Sequence, residues 1–395
     1  MQPAARLLDL TRLVSRLGLG PLTGVDRVEF AYLTHLLAEP VPLWALVRTK
    51  IGFLLLDHAG AQGIAALAAG ATLPDADWVS RVTRRGQPVR AMAETAARGM
   101  AVARCTRWGL RRMLRRVPAG FHYLNVGHAN LTDQVLGAMG RVGVLVHDTI
   151  PLDHPEFASA GTPKAFAAKL AVVARHADVV IYSTQDARRK AEAHMARVPA
   201  AIVARLGVPM PVPTGTVDIA KPYFVVLGTI EPRKNHALLL DVWEEMAAQG
   251  NGVPGLAIVG RRGWADPALL ARLDRLRAQL PQILELPGLD DGAVASLLLG
   301  SEGLLFPSLA EGFGLPPVEA AALGVPVIAS DLSATHEVLE DYPVYQSVTD
   351  RYSWLETIMQ RMALAGMPQK TMQGARPRVE PPTWADHFNA VLIVI

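Results

Sequence analysis

Cysteine is nearly absent from this chain. Cys105 stands alone among 395 residues, which excludes an internal disulfide framework and a cysteine-rich metal site. That usage fits a reducing compartment, and a cytoplasmic location is expected. Aromatic residues are also scarce, at 6%. Ala, Leu, Val, Gly and Pro dominate instead, a balance found in α/β enzymes rather than in disordered or fibrous chains. No apolar run approaches the ~20 residues a membrane-spanning helix needs. The stretch "VPLWALVRTKIGFLLLD" comes nearest, and Arg48 and Lys50 interrupt it. The opening "MQPAARLLDLTRLVSRLG" has no uninterrupted apolar segment, so no signal peptide is expected. The formal charge is only +3, and no nucleic-acid partner is expected.

What is present is hydrophobic bulk arranged in alternation. Half the residues are hydrophobic, enough for a core in each of two or three domains. "RLLDL", "PLWALV", "FHYLNV", "VGVLVHD", "DVVIYS" and "AIVARLG" read as strands, with helical periods such as "VDRVEFAYLTHLLA" and "PKAFAAKLAVVARHA" between them. Strands rich in Val, Ile and Leu, covered on both faces, predict a parallel sheet. Residues 207–222, "GVPMPVPTGTVDIAKP", are rich in Pro and Gly and read as a linker. The alternation then restarts at "YFVVLG". The expected division is therefore a Rossmann-like unit over 1–206, the linker 207–222, a second doubly wound unit over 223–375, and a closing helix in 376–395 that packs back on the first unit. One basic segment, "ARCTRWGLRRMLRRVP" at 103–118, predicts a helix with Trp108, Leu110, Met113 and Leu114 on one side. It is either a solvated helix packed by that stripe or a peripheral contact with an anionic membrane surface.

Two α/β units leave a cleft, and ligands of such sheets bind beyond the carboxyl ends of the strands. Residues 308–324, "SLAEGFGLPPVEAAALG", sit at such an end. Pro316 and Pro317 suit a first helical turn. Gly312 and Gly314 permit close backbone approach. The helix N-terminus behind them is an anion site. Glu319 in the first turn can accept two hydrogen bonds from a ribose diol, and Glu311 can accept from sugar hydroxyls. Sugar, diphosphate and ribose in a line describe a nucleotide sugar. The second half of the site is "YFVVLGTIEPRKNHALLLDVW". Its strand ends at Gly228, Asn235 suits an N-cap, and Arg233 and Lys234 can neutralise a departing diphosphate without a metal. Bland alternatives stand beside each reading: a helix-dipole role for Glu319, solvation of Glu311, an exposed basic turn.

"GTIEPRKN" and "SLAEGFGLPPVEAAALGVPVIASD" resemble the donor-binding half of the GT-B retaining glycosyltransferases of family 4, whose signature E-x7-E is matched by Glu311 and Glu319. "EPRKN", "IVGRRGW" and "HDTIP" resemble its bacterial mannosyltransferase-like branch, which works on surface polysaccharides. The resemblance implies a GT-B fold, two Rossmann-like doubly wound domains facing a central cleft. It implies that Glu311 contacts the transferred sugar, Glu319 the ribose, and Arg233 and Lys234 the diphosphate. It assigns the amides around Phe313, Gly314 and Leu315 to sugar and phosphates. Many relatives carry arginine directly after the strand's glycine. This chain has Thr229 there, and Arg233 is expected to supply the charge. "PLTGVDRVEFAYL" resembles the family's first glycine loop, with Gly24 approaching the diphosphate or acceptor. His147 would lie near the reacting sugar, His128 is a weaker candidate, and Ser183 or Thr184 would cap a helix.

The resemblance implies retention of anomeric configuration. No carboxylate nucleophile of the kind retaining hydrolases use is identifiable here, so a same-face substitution is expected, the donor phosphate taking the acceptor proton. No metal or other cofactor is expected: Asp75 and Asp77 follow a helical stretch, and "HDTIPLDH" lacks ligand spacing. GDP-mannose is the first expected donor and UDP-hexoses the next, with a glycan or lipid-linked acceptor. A nucleotide-sugar epimerase or a non-catalytic sugar-nucleotide binder are the rival readings.

Overall fold

The computed structural model describes residues 3–210, 212–250, 252–364 and 378–395. It has two lobes, each built on one sheet. The N-terminal sheet comprises β1 (Arg6–Asp9), β2 (Leu43–Arg48), β3 (Gly52–Leu56), β4 (Ala103–Thr106), β5 (His122–Asn125), β6 (Arg141–Val146), β7 (Val179–Tyr182) and β8 (Ala200–Val203). Their order is β4-β3-β2-β1-β5-β6-β7-β8. The C-terminal sheet comprises β9 (Tyr223–Leu227), β10 (Gly255–Val259), β11 (Ile283–Glu285), β12 (Gly303–Phe306), β13 (Val327–Ser330) and β14 (Val344–Gln346), in the order β11-β10-β9-β12-β13-β14.

Successive strand residues face opposite sides, and helices cover both. Leu8, Ala45 and Val47 join one apolar cluster while Leu7 and Leu46 join the other. In the second lobe Phe224 and Val226 face one side and Tyr223, Val225 and Leu227 the opposite one. That two-sided burial is why these strands read as continuous apolar runs. In each sheet the chain winds outward from a central strand and later returns to its other flank. β1 lies beside β5, and β9 beside β12. These switch points set the loops after β1, β5, β9 and β12 around the space between the lobes.

Three sequence expectations are corrected. The N-terminal sheet is not wholly parallel, since β3 runs antiparallel to both β2 and β4. The β2–β3 pair is the stretch interrupted by Arg48 and Lys50, which was not expected to span a membrane. The basic segment 103–118 is not one helix. It begins as β4, passes through a single 3-10 turn at Arg107–Gly109, and is helical only over Leu110–Leu114. Leu110, Met113 and Leu114 are buried, whereas Trp108 is 79% exposed with the Arg107 guanidinium 4.2 Å from its ring. The strand read at "AIVARLG" is confined to its first half.

Residues 204–222 carry no helix or strand among those described. The expected domain end at 375 and the start of the closing segment at 376 lie outside the described residues. The helix Trp384–Val394 packs on the N-terminal lobe: Phe388, Val391 and Ile395 share a buried cluster with Leu8, Tyr32 and Leu33.

Candidate active site

One cleft of about 580 Å3 is lined by both lobes, and the twelve residues expected to catalyse or to bind the donor all border it. From the N-terminal lobe come Gly24 and His147. From the C-terminal lobe come Gly228, Thr229, Arg233, Lys234, Glu311, Gly312, Phe313, Gly314, Leu315 and Glu319. The volume falls in the range of small-molecule sites.

The loop after β9 and the loop after β12 are tied directly, the Leu309 amide donating to the Arg233 carbonyl at 2.7 Å. This places Lys234 Nζ 2.5 Å and Arg233 Nη1 2.8 Å from the same Glu311 oxygen. Arg233 also reaches Glu231 at 2.6 Å. Burial alone pushes the Glu311 carboxyl up, but Arg233 and Lys234 outweigh it and hold the group at about 2. Burial lowers Lys234, against the pull of Glu311. Arg233 is raised above its ordinary value: burial works against it, and Glu311, Glu231 and Asp148 prevail. The result is a buried, ionised cluster whose members fix one another's positions.

Beside it stand four donors. The amides of Gly312, Phe313, Gly314 and Leu315 have no hydrogen-bond partner among the described residues. Gly314 opens the helix Leu315–Ala322 in the left-handed region, with φ 82°. Pro316 and Pro317 lack N–H groups, so the anion-binding capacity of this helix start rests on those four amides rather than on the first turn. Gly312 is required by space: a Cβ there would lie 2.4 Å from the His147 carbonyl oxygen of the opposite lobe. Gly24 begins the helix Val25–Ala38 with φ 46° and faces open space.

Glu319 lies in the second turn of the helix Leu315–Ala322 rather than the expected first; it is 8% exposed, lines the cleft and already has a partner. Arg27 of the N-terminal lobe donates to its Oε1 at 2.6 Å. Burial raises the Glu319 carboxyl, and Arg27 offsets only part of that. Arg27 was not singled out from the sequence, nor was Arg261, which lines the cleft and donates to the Leu19 carbonyl across it. Arg261 lies in the quoted "IVGRRGW". Arg27 had no local signal, because its partner is 292 residues away.

His147 is buried, and its Nε2–H donates to the Val126 carbonyl at 2.7 Å. Burial pushes the imidazole down to about 4, so it is neutral near pH 7. His128 packs 5.1 Å away, outside the cleft. Thr184 caps the helix Gln185–Ala193 through Ala187 and donates to the Gly312 carbonyl at 3.0 Å, joining the lobes. Ser183 does not cap. Its buried hydroxyl has no partner among the described residues, and the residue lines the cleft. Asn235 does not cap either: it is left-handed, with φ 52°, and its side chain donates to the Val348 carbonyl. Asp77 caps the helix Trp78–Thr83. Among the described residues no three His, Cys, Asp or Glu side chains converge as metal ligands would.

Residues 216–360 match the family described as glycosyl transferases group 1. The serotype-specific mannosyltransferase WbdA of Escherichia coli is 31% identical over 261 residues, covering 61% of this chain and 31% of that protein. The O-antigen chain mannosyltransferase B of Escherichia coli is 34% identical over 119 residues, 30% of this chain and 31% of its own length. The chain thus spans about a third of these curated relatives. Among solved structures, HepE of Anabaena in complex with UDP-glucose superimposes with a TM-score of 0.61 at 14% identity, over 91% of both chains. The C-terminal lobe is therefore a glycosyl transferases group 1 domain, homologous to bacterial mannosyltransferases, and the two lobes together form a GT-B fold.

Proposed function

We propose that this chain is a retaining, metal-independent glycosyltransferase that moves a hexose from a nucleoside-diphosphate sugar to a glycan or lipid-linked acceptor in surface polysaccharide synthesis. Mannose from GDP-mannose is the first choice, from the mannosyltransferase relatives, and UDP-hexoses are the next. The observation that carries the reading is the gathering of Lys234, Arg233 and four unpaired amides in one interlobe cleft with the two carboxylates of the E-x7-E pattern.

In this mechanism the acceptor hydroxyl attacks the anomeric carbon on the face the diphosphate leaves. The bond from that carbon to the phosphate oxygen breaks, and the oxygen takes the acceptor proton. A glycoside and a nucleoside diphosphate result. Lys234, Arg233 and the amides of 312–315 stabilise the charge that develops on the leaving group, in a site already organised before substrate arrives. Glu311 holds Lys234 in place and accepts from the sugar. Glu319 accepts from the ribose after sharing or releasing Arg27. His147, neutral and fixed by Val126, lines the reacting end without serving as a cationic acid.

We place the enzyme in the cytoplasm, with a peripheral membrane contact through 103–118, where Trp108 and Arg107 stand exposed. Among the described residues no helix is long and apolar enough to cross a membrane. The test is a thermal-shift screen with GDP, UDP and their sugars, followed by product analysis with acceptor in excess EDTA. Glycoside formation with retained configuration in EDTA is expected. A covalent sugar on a side chain, a requirement for divalent metal, or epimerised donor without acceptor would each refute the reading.

A further inference from the structure

A second cavity of about 590 Å3 lies wholly in the N-terminal lobe. It sits where the fold places ligands, at the carboxyl ends of central strands. Thr11 follows β1, Arg48 ends β2 and Gly127 follows β5, and all three line it. It adjoins the active-site cleft. The helix Thr11–Arg16 turns Arg12 and Ser15 toward this cavity and Arg16 toward the cleft, and His128 and His147, their rings tilted at 51° with centroids 5.1 Å apart, form the wall between them.

Its charge is one-sided. Six cations line it: Arg12, Arg48, Lys50, Arg84, Arg90 and Lys169. The one lining carboxylate, Glu94, accepts from Arg84 at 2.6 Å. Arg12 is paired with the buried Asp26 at 2.9 Å. Arg90 reaches only the neutral Gln87, at 3.3 Å. Arg48, Lys50, Arg90 and Lys169 have no acidic partner among the described residues. Behind the wall, Glu29 lies against Gly127, and burial raises its carboxyl well above the usual range. Burial and the neighbouring Arg48 and Arg12 lower the Lys169 ammonium, so the half-buried lysine is held against repulsion. A concave site that gathers more like charges than counter-charges gains stability when an anion enters.

We propose that this cavity binds a phosphate or diphosphate group carried by the acceptor, with Arg48, Arg90 and Lys169 as the contacts and Lys50 at the rim. The acceptor identity rests on the glycosyltransferase reading; the anion site does not. Held there, the charged end of the acceptor is anchored one wall away from the cleft, which fixes its approach to the donor. The same diphosphate chemistry is available on a prenyl lipid or on a soluble molecule.

The test is a calorimetric titration of inorganic pyrophosphate into the full chain already holding one equivalent of GDP, so that the donor cleft is occupied. A further equivalent of pyrophosphate is expected to bind. The double variant Arg48→Gln/Lys169→Gln, checked for an unchanged melting curve, is expected to weaken it at least tenfold, because charge-assisted contacts are lost. Arg275→Gln, an exposed change on the C-terminal lobe that lines neither the cavity nor the cleft, is expected to leave it unaltered. Geranyl diphosphate binding more tightly than pyrophosphate would support the site with a lipid-borne acceptor, and equal binding would support it with a soluble one. No binding to the GDP-loaded protein, or equal loss in Arg275→Gln, would overturn the proposal. If pyrophosphate binds as expected but no sugar is transferred, the site stands and the glycosyltransferase reading falls.

Discussion

Arg27, on the first long helix of one lobe, and Glu319, on the loop-capping helix of the other, hold each other at 2.6 Å across the cleft. Each is the other's interlobe partner, and Asp291 stands a further 3.7 Å from Arg27. Removing Arg27 leaves a carboxylate that burial already disfavours. The Arg27→Ala variant is expected to lose about 1–2 kcal/mol, the partly exposed guanidinium tempering the effect. It is also expected to populate a more open arrangement of lobes, read as a larger radius of gyration in small-angle scattering. Identical scattering would mean that Thr184–Gly312 and the other bridging contacts alone hold the lobes.

Lys234 and Arg233 meet on one oxygen of Glu311, so the three act as a unit. Lys234→Met is expected to lower turnover about 10²–10³-fold, the usual cost of one charge-stabilising donor. The fold should survive, because Arg233 remains 2.8 Å from Glu311 and the acid is not left alone. Glu311→Gln should cost a similar factor, and the double variant should cost much less than the product. Additive losses in steady-state kinetics would separate the roles.

The sequence made the strands legible because burial on both faces leaves uninterrupted Val, Leu and Ile runs, and the β9 and β12 loops legible because their glycines and carboxylates are local. It hid β4, since "ARCT" alternates arginine with small residues at a sheet edge and merges with the arginines that follow. It misassigned Asn235, whose left-handed backbone turns its amide toward Val348 rather than toward the helix it precedes. Arg27 and the basic cavity were out of reach for another reason. Both depend on residues that only tertiary folding brings together: Arg27 with Glu319, and Arg48 with Lys169.

Acid should act on this protein through histidines before it acts on Glu311. His147, His236 and His387 are buried, and each is pushed down to about 4 from 6.5. The unfolded chain therefore binds protons that the folded one refuses. Their contribution is complete above pH 6.5 and is lost as pH falls from there toward 4, by up to about 3 kcal/mol each. Glu311, held at about 2 against 4.5, loses its contribution only between about 4.5 and 2. Urea midpoints are expected to fall steeply between pH 6.5 and 4 in both lobes, since His236 lies in one and His147 and His387 in the other. A flat profile over that range would show that the rings are not buried neutral.

The closing helix makes the N-terminal lobe depend on the far end of the sequence. Phe388 is 2% exposed, stacks on His35 with ring centroids 3.8 Å apart, and meets Tyr32 edge-on at 4.9 Å. The preceding residue, His387, is fixed from both sides: its Nδ1–H donates to the Arg205 carbonyl at 3.0 Å, and its Nε2 accepts from the Tyr32 hydroxyl at 2.7 Å. The ring contacts of Phe388 and the Tyr32 contact of His387 thus fall on the same helix Val25–Ala38 that carries Arg27 into the cleft. Phe388→Ala leaves a cavity the size of a ring beneath that helix and is expected to cost about 3–4 kcal/mol. The loss should appear in the unfolding of the N-terminal lobe. The C-terminal lobe should be affected less: its two inner clusters contain no residue of this helix, and of its buried residues only Phe313, Val318, Ala321, Val338 and Leu339 share the cluster that holds Phe388. Because the helix Val25–Ala38 then loosens, binding in the cleft should weaken although Phe388 touches no substrate. Intrinsic tryptophan fluorescence follows both events, with Trp384 reporting on the closing helix and Trp243 and Trp354 on the other lobe. A Phe388→Ala protein that melts like the parent would place the support for Arg27 elsewhere.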